Sequence, residues 1–175
     1  MNNVTEYLKS KIRDIPDFPK KGIVFKDITT LLKDKEAFKV VIDEMAKNLV
    51  GEKIDYIVGI ESRGFIFGGA LAYNLGVGFI PIRKPKKLPG KTKRMEYSLE
   101  YGTDAIEIHE DAIEPGSNVV LIDDLLATGG TMAAAVELVK QLNANIIKVI
   151  FLIELGFLNG KEKLSSCKIT SLITY

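Results

Sequence analysis

The sequence has few of the residues that stabilise secreted proteins or hold metal ions. The 175 residues include one cysteine, Cys167, and one histidine, His109. A single cysteine cannot form an intramolecular disulfide, and Cys167 lacks the neighbouring cysteine or histidine of a metal-binding motif. The composition therefore favours a reducing compartment.

Long apolar runs are also missing. No segment reaches the roughly 20 apolar residues that a membrane-spanning helix needs, and residues 1–11 lack the apolar centre of a signal peptide. Because the net charge is only +1, the whole molecule has no strong field to attract nucleic acid or a membrane surface. We expect a soluble cytoplasmic protein that binds neither.

Two kinds of apolar pattern alternate along the chain. Some segments have apolar residues at helical spacing, and others are short apolar runs typical of buried strands. The predicted helices cover residues 4–12, 36–49, 64–75 and 132–142, and the predicted strands cover residues 54–60, 77–82, 119–122, 146–153 and 169–173. This alternation predicts an α/β fold, with a mainly parallel, twisted sheet flanked by helices and ligands beyond the carboxyl ends of the strands. The length fits one domain, residues 1–175.

One segment interrupts the alternation. Residues 83–94 hold seven basic residues, two prolines, one glycine and no acidic residue, which predicts a surface loop. Residues 95–101 and 105–109 then flank Gly102-Thr103-Asp104, a connection typical of an antiparallel hairpin. We place His109 on the surface of its second strand.

The most informative stretch is residues 119–131, where a buried strand leads through a loop of small residues into a helix. Backbone N–H groups, threonine hydroxyls and the helix dipole there suit a phosphate; the loop residues are Ala127, Thr128, Gly129, Gly130 and Thr131. At the strand end, the carboxylates of Asp123 and Asp124 can accept hydrogen bonds from a vicinal diol.

Together the diol and phosphate sites predict that this stretch binds a ribose 5-phosphate. No lysine follows the glycines, which excludes a P-loop, and GxGxxG is absent, which excludes a dinucleotide fingerprint. The alternative is an ordinary turn whose acidic residues cap a helix.

This segment resembles the signature with which type I phosphoribosyltransferases bind phosphoribosyl pyrophosphate (PRPP). Further blocks resemble the adenine phosphoribosyltransferases: residues 17–19 with 22–28, 61–65, 83–84 with 87–89, and 97–102. The resemblance runs from about residue 12 to the end. It implies the Rossmann-like phosphoribosyltransferase fold with a small N-terminal hood (residues 1–30), a flexible loop and hairpin acting as a lid (residues 83–109), and a homodimer.

The implied activity is that of a glycosyltransferase in purine salvage. Such an enzyme transfers the 5-phosphoribosyl group of PRPP to N9 of adenine and releases AMP and pyrophosphate. Mg²⁺ is the implied cofactor, and we expect PRPP oxygens and water to hold it rather than dedicated protein ligands.

The resemblance also implies roles for single residues. The Val24 backbone pairs with adenine and Phe25 stacks on it, while Lys26 stands where many relatives carry arginine. Glu61, Ser62 and Arg63 bind the pyrophosphate of PRPP, and relatives have a cis peptide at the position of Glu61-Ser62.

The lid and hairpin supply the remaining candidates. Arg83, Lys84 and Lys87 match lid residues, with Lys87 the first choice for contacting pyrophosphate. Glu100, beside Tyr101, matches a carboxylate that accepts the adenine proton or orients the base. The catalytic candidates are therefore Glu100, Arg63 and Lys87.

Two rival functions remain open. The phosphate signature also serves transferases for guanine, hypoxanthine, xanthine or orotate, although the Val24-Phe25 block and Glu100 favour adenine. A PRPP-sensing regulator of transcription would keep the fold but needs a nucleic-acid-binding element. The sequence has no separate helix-turn-helix domain, so the basic loop is the one feature such a regulator could use.

Overall fold

A computed structural model describes residues 2–98 and 102–175. Its helices and strands are α1 (Asn2–Ser10), β1 (Arg13–Pro16), β2 (Val24–Asp27), α2 (Thr29–Leu32), α3 (Lys35–Lys47), β3 (Tyr56–Ile60), α4 (Gly64–Leu75), β4 (Gly78–Ile82), β5 (Thr92–Ser98), β6 (Thr103–His109), β7 (Asn118–Leu126), α5 (Gly130–Gln141), β8 (Asn145–Glu154) and β9 (Ile169–Thr174). Short 3-10 turns cover Gly156–Leu158 and Gly160–Leu164.

A five-stranded sheet in the order β4-β3-β7-β8-β9 forms the centre of the molecule. Its neighbouring strands are all parallel, which confirms the predicted α/β fold. Side chains alternate between the faces, so that Val58 of β3 packs with α5 while Ile57 packs with α3 and α4. The strands are apolar on both faces because helices cover both.

Local signals fix the helix ends. The side chain of Asp34 accepts hydrogen bonds from the backbone N–H groups of Glu36 and Ala37, both at 3.1 Å, and so caps α3. The helix α4 runs from Gly64 to Leu75 as predicted and ends at Gly76, whose φ of 67° is left-handed. None of the described helices is long and apolar enough to cross a membrane.

The N-terminal segment packs against the domain. Leu8 of α1 is buried in the cluster that α3 and α4 share, and the Thr5 hydroxyl donates to the Leu172 carbonyl of β9 at 3.3 Å. The strands β1 and β2 pair antiparallel, with Ile15 opposite Phe25. The sequence did not predict this pair or α2, because they lie among prolines and glycines and lack a long periodic pattern.

Three predicted boundaries were wrong, two of them at the acidic pair and at the hairpin connection. The strand β7 continues beyond the acidic residues to Leu126, because Leu125 and Leu126 pair with β8 and Leu126 is buried. Asp123 and Asp124 therefore lie within the strand. In the hairpin, Ser98 pairs with Thr103, so Thr103 and Asp104 belong to β6 rather than to the connection.

The predicted basic loop is shorter than expected, because residues 92–94 already belong to β5. Buried Ile106 and Ile108 set the register of this pairing, which extends along both strands. The hairpin joins the rest of the domain at Arg83, whose backbone exchanges hydrogen bonds with that of Glu107 at 2.9 and 2.7 Å. The basic segment thus starts at a fixed point.

Candidate active site

The loop between β7 and α5 forms a cradle for an anion. Gly129 has a φ of 78°, a left-handed conformation that glycine adopts without a steric penalty. The helix α5 begins at Gly130, and the first N–H groups of a helix have no acceptor within it. A cavity of about 80 Å³ lies here, and its walls are formed by Asp123, Leu125, Leu126, Ala127, Thr128, Gly129, Gly130, Thr131, Met132 and Phe151.

A second glycine, which the sequence analysis did not single out, supports this loop from outside. A Cβ atom on Gly160 would lie 2.2 Å from the carbonyl oxygen of Ala127 and 3.1 Å from the nitrogen of Gly129. The first distance is too short for a real contact and the second is unusually tight, so the two backbones pack together directly. The only local signal was the Asn159-Gly160 dipeptide, which marks a turn and gives no information on its partner.

The acidic pair lies beside the cradle. Asp123 forms part of the cavity wall, while Asp124 is 4% exposed and its Oδ2 lies 3.0 Å from Nε of Arg63. Burial, followed by the charge of Asp124, raises the pKa of Asp123 well above its usual value. Burial also raises the pKa of Asp124, although Arg63 opposes this. The pair therefore takes up protons more readily than exposed carboxylates do.

Arg63 connects the acidic pair to the N-terminal segment. Its guanidinium lies 5.5 Å from the ring centroid of Phe25, and the Phe18 ring stands edge-on to Phe25 at 5.2 Å. The helix α4 can start this close to β7 because a Cβ on Gly64 would lie 2.9 Å from the carbonyl oxygen of Ile122. The structure thus brings Phe25, Arg63 and the acidic pair together.

The loop before α4 has the predicted cis peptide between Glu61 and Ser62. The side chain of Glu61 contacts the start of the basic segment, accepting from the Lys84 N–H at 2.9 Å and from Nε of Arg83 at 3.2 Å. Burial alone would raise the pKa of Glu61, but these hydrogen bonds outweigh it and lower the pKa. Glu61 therefore holds two of the predicted substrate ligands, Arg83 and Lys84, at its own loop.

The other residues predicted to bind substrate differ in their exposure and in the groups that they contact. The ammonium of Lys26 lies 2.8 Å from Oδ1 of Asp14 and 3.9 Å from the ring centroid of Tyr175, so substrate binding would compete with these contacts. Val24, Ser62 and Lys87 are exposed, whereas Lys84 contacts the hairpin. Glu100 and Tyr101 lie outside the described residues.

Within residues 2–98 and 102–175, no three or more His, Cys, Asp or Glu side chains form a cluster that could hold a metal ion.

Comparison with known protein families identifies the class of this protein. Residues 29–170 match the Phosphoribosyl transferase domain. The chain is 58% identical over 170 residues to the adenine phosphoribosyltransferase of Acidobacterium capsulatum, covering 97% of this chain and 94% of that one. It therefore belongs to the adenine phosphoribosyltransferase family of enzymes.

Solved structures agree with this assignment. The adenine phosphoribosyltransferase of Thermoanaerobacter pseudethanolicus matches with a TM-score of 0.95 at 56% identity, covering 98% of this chain and 99% of that one. The Saccharomyces cerevisiae enzyme, complexed with adenine and an imino-altritol bisphosphate, matches with a TM-score of 0.93 at 44% identity and the same coverage.

We predict that Gly160→Ala weakens PRPP binding. The added methyl group would push the Ala127 carbonyl, and overpacking of this kind costs about 1–3 kcal/mol. The displaced loop must return to its original shape when PRPP binds, so part of this cost opposes binding. Because about 1.4 kcal/mol corresponds to tenfold in affinity, the KM for PRPP should rise roughly tenfold in steady-state assays. Ser165→Ala is the control, since it changes an exposed side chain just after the same 3-10 turn. An unchanged KM for PRPP in Gly160→Ala would contradict the role of Gly160.

We also predict that ribose 5-phosphate binds more weakly as the pH falls, because the raised pKa of Asp123 makes it take up a proton above the normal range of aspartate. A protonated carboxyl is a poorer acceptor for the diol. Calorimetric titration of Asp123→Asn should show weaker binding and a shallower pH dependence, because only Asp124 and the phosphate group of the ligand then titrate.

Inorganic phosphate is the control ligand for this titration, because it lacks a diol and should respond equally to pH in both proteins. Equal slopes for ribose 5-phosphate in wild type and Asp123→Asn would contradict the assignment of the diol site.

Proposed function

We propose that this enzyme catalyses the Mg²⁺-dependent transfer of the 5-phosphoribosyl group of PRPP to N9 of adenine, which gives AMP and pyrophosphate. The observation that carries the proposal is the continuous path from the anion cradle at Gly129 through Asp123 and Asp124 to Arg63 and Phe25. Along this path the cradle would bind a phosphate, the two carboxylates a diol, and Phe25 a planar base. The yeast relative is complexed with adenine and a bisphosphate, in agreement with this arrangement.

The ribose 5-phosphate half of PRPP would bind at β7 and α5. The N–H groups at the start of α5 and the hydroxyls of Thr128 and Thr131 donate to the phosphate. Asp123 and Asp124 accept from the ribose hydroxyls. Because Arg63 pairs with Asp124, it opposes the effect of burial on the pKa of this carboxylate and so favours the ionised form, which is the better acceptor for the diol.

The purine would bind against β2. Phe25 offers a ring for stacking, and the half-exposed Val24 offers its backbone N–H and C=O groups to the base edge. Pro16, the cross-strand partner of Val24, has no N–H and cannot donate to the Val24 carbonyl. That carbonyl therefore suits the exocyclic amino group of adenine, whereas a 6-oxo purine would present an acceptor to an acceptor.

The pyrophosphate would lie between Arg63 and the basic segment. The exposed Lys87 follows the residues that Glu61 holds, and Arg83 donates from Nη1 to the Lys87 carbonyl at 3.1 Å. The start of the segment is thereby fixed, and the charge of the exposed Lys87 acts on Glu61 from close by. We assign Glu61 to this anchoring rather than to direct substrate contact.

In the reaction, the bond from C1 of the ribose to the pyrophosphate oxygen breaks as N9 of adenine bonds to C1 from the opposite face. Glu100, which we assign near the base, accepts the N9 proton or orients the ring. Arg63 and Lys87 stabilise the charge on the departing pyrophosphate, and binding supplies the alignment.

The side chains present suit Mg²⁺, which prefers oxygen ligands and keeps several waters. The carboxylates of Asp123 and Asp124, which form the proposed diol site, would accept hydrogen bonds from waters bound to the ion. When bound with PRPP, Mg²⁺ would neutralise charge on the pyrophosphate.

We further propose a homodimer. Ile66 and Tyr73 lie two turns apart on α4 and are 41% and 91% exposed, an apolar pair on the helix that follows Arg63. Sedimentation equilibrium should give twice the chain mass of 19.3 kDa, and Ile66→Glu should shift the protein towards monomer. Val50→Lys, at an exposed apolar residue elsewhere, is the control. A wild-type monomer at micromolar concentration would contradict the proposal.

The direct test of function is product formation by purified protein with Mg²⁺, PRPP and one base at a time: adenine, guanine, hypoxanthine, xanthine or orotate. We expect AMP and pyrophosphate from adenine, with at least a hundredfold preference, roughly the discrimination that mismatched buried polar groups can give. Product mainly from another base would contradict the purine pocket at Val24 and Phe25. PRPP binding without product from any base would favour a regulator instead.

A further inference from the structure

Three side chains form a hydrogen-bonded cluster where the basic segment meets the hairpin. The ammonium of Lys84 pairs with the carboxylate of Asp104 and donates to the hydroxyl of Tyr97 at 3.0 Å. That hydroxyl in turn donates to Oδ2 of Asp104 at 3.2 Å. Tyr97 and Asp104 are direct cross-strand partners in β5 and β6, so the pairing of the hairpin itself presents both groups to Lys84.

The cluster lies at a joint between two parts of the site. Lys84 follows Arg83, which is fixed to β6 through the Glu107 backbone, and it precedes the exposed Lys87. On the hairpin, Asp104 lies one residue from the last described pair, Ser98 and Thr103. The cluster therefore links the basic segment to this end of β5 and β6.

The contacts suit a reversible attachment. Hydrogen bonding from Lys84 lowers the pKa of Asp104, so this carboxylate is ionised at neutral pH. The side chains of Lys84 and Asp104 are 38% and 32% exposed, and ion pairs of this kind are weak because water screens them. A pyrophosphate, which carries several charges and more acceptor oxygens, can compete for the same ammonium.

We propose that Asp104, assisted by Tyr97, is a positioning residue that holds Lys84 in the unliganded enzyme and competes with pyrophosphate for it. This proposal rests on the proposed function, in which the basic segment meets pyrophosphate. PRPP binding transfers the Lys84 ammonium from Asp104 to the pyrophosphate. When the product leaves, Asp104 takes Lys84 back and so favours release.

The test is Asp104→Asn, which keeps the size of the side chain and an oxygen for the Ala105 N–H but removes the charge. The expected result is tighter binding of pyrophosphate: its product-inhibition constant falls about threefold to tenfold, in line with the loss of a partly exposed charged contact. The KM for adenine stays unchanged. Tyr97→Phe should shift the constant in the same direction by a smaller factor.

Asp111→Asn is the matched control, because it removes the same charge from the turn after β6 without touching Lys84. It should leave the pyrophosphate constant unchanged, so that a general change of net charge does not explain the effect. Thermal denaturation followed by circular dichroism checks that each variant is folded. If Asp104→Asn does not fold, Tyr97→Phe decides the result.

A second experiment measures pyrophosphate binding in Lys84→Met and in the double variant that combines Lys84→Met with Asp104→Asn. Lys84→Met should weaken pyrophosphate binding, and Asp104→Asn should add nothing in that background. Weaker pyrophosphate binding in Asp104→Asn would overturn the proposal, because Asp104 would then prepare Lys84 for the ligand instead of competing for it. No effect of Lys84→Met would also overturn it, whereas AMP formation from adenine would still support the proposed function.

Discussion

The placement of two adjacent carboxylates inside β7 is the constraint on which the rest of the site depends. Asp123 and Asp124 lie in a strand flanked by β3 and β8, where burial raises the pKa of both. Such a pair needs a compensating charge and polar neighbours. Arg63 provides the charge from the start of α4, and Gly64 allows that helix to approach β7.

The same constraint determines how the surrounding loops are arranged. The cradle after β7 is supported by the close contact between Gly129 and Gly160, so its shape depends on a turn distant in sequence. On the other side, Glu61 fixes the first residues of the basic segment to the loop that carries Arg63. Groups proposed to bind phosphate, ribose and pyrophosphate are therefore positioned from one rigid centre.

Local patterns in the sequence predicted the features that depend on interactions between residues close together in the chain. The period of the apolar residues identified the helices and parallel strands, Gly76 marked the end of α4, and residues 123–131 indicated the phosphate loop. Contacts between distant segments were not predictable in this way. The support from Gly160 and the hydrogen bonds of Lys84 to Tyr97 depend on how separate elements meet in space, which no spacing in the sequence encodes.

The boundary errors have the same origin. The acidic residues looked like a strand end, but pairing of Leu125 and Leu126 with β8 continued the strand. Likewise, Thr103 and Asp104 have the composition of a turn, but the register set by Ile106 and Ile108 brought them into β6. In both cases tertiary pairing overrode local propensity.

The central claim is that one continuous site receives phosphate, ribose and purine in that order. A crystal structure of the protein with AMP tests it most directly. Our account predicts the phosphate at residues 127–131, the ribose hydroxyls at Asp123 and Asp124, and the purine against Phe25. AMP bound with its purine in the cradle, or at another surface altogether, would contradict it.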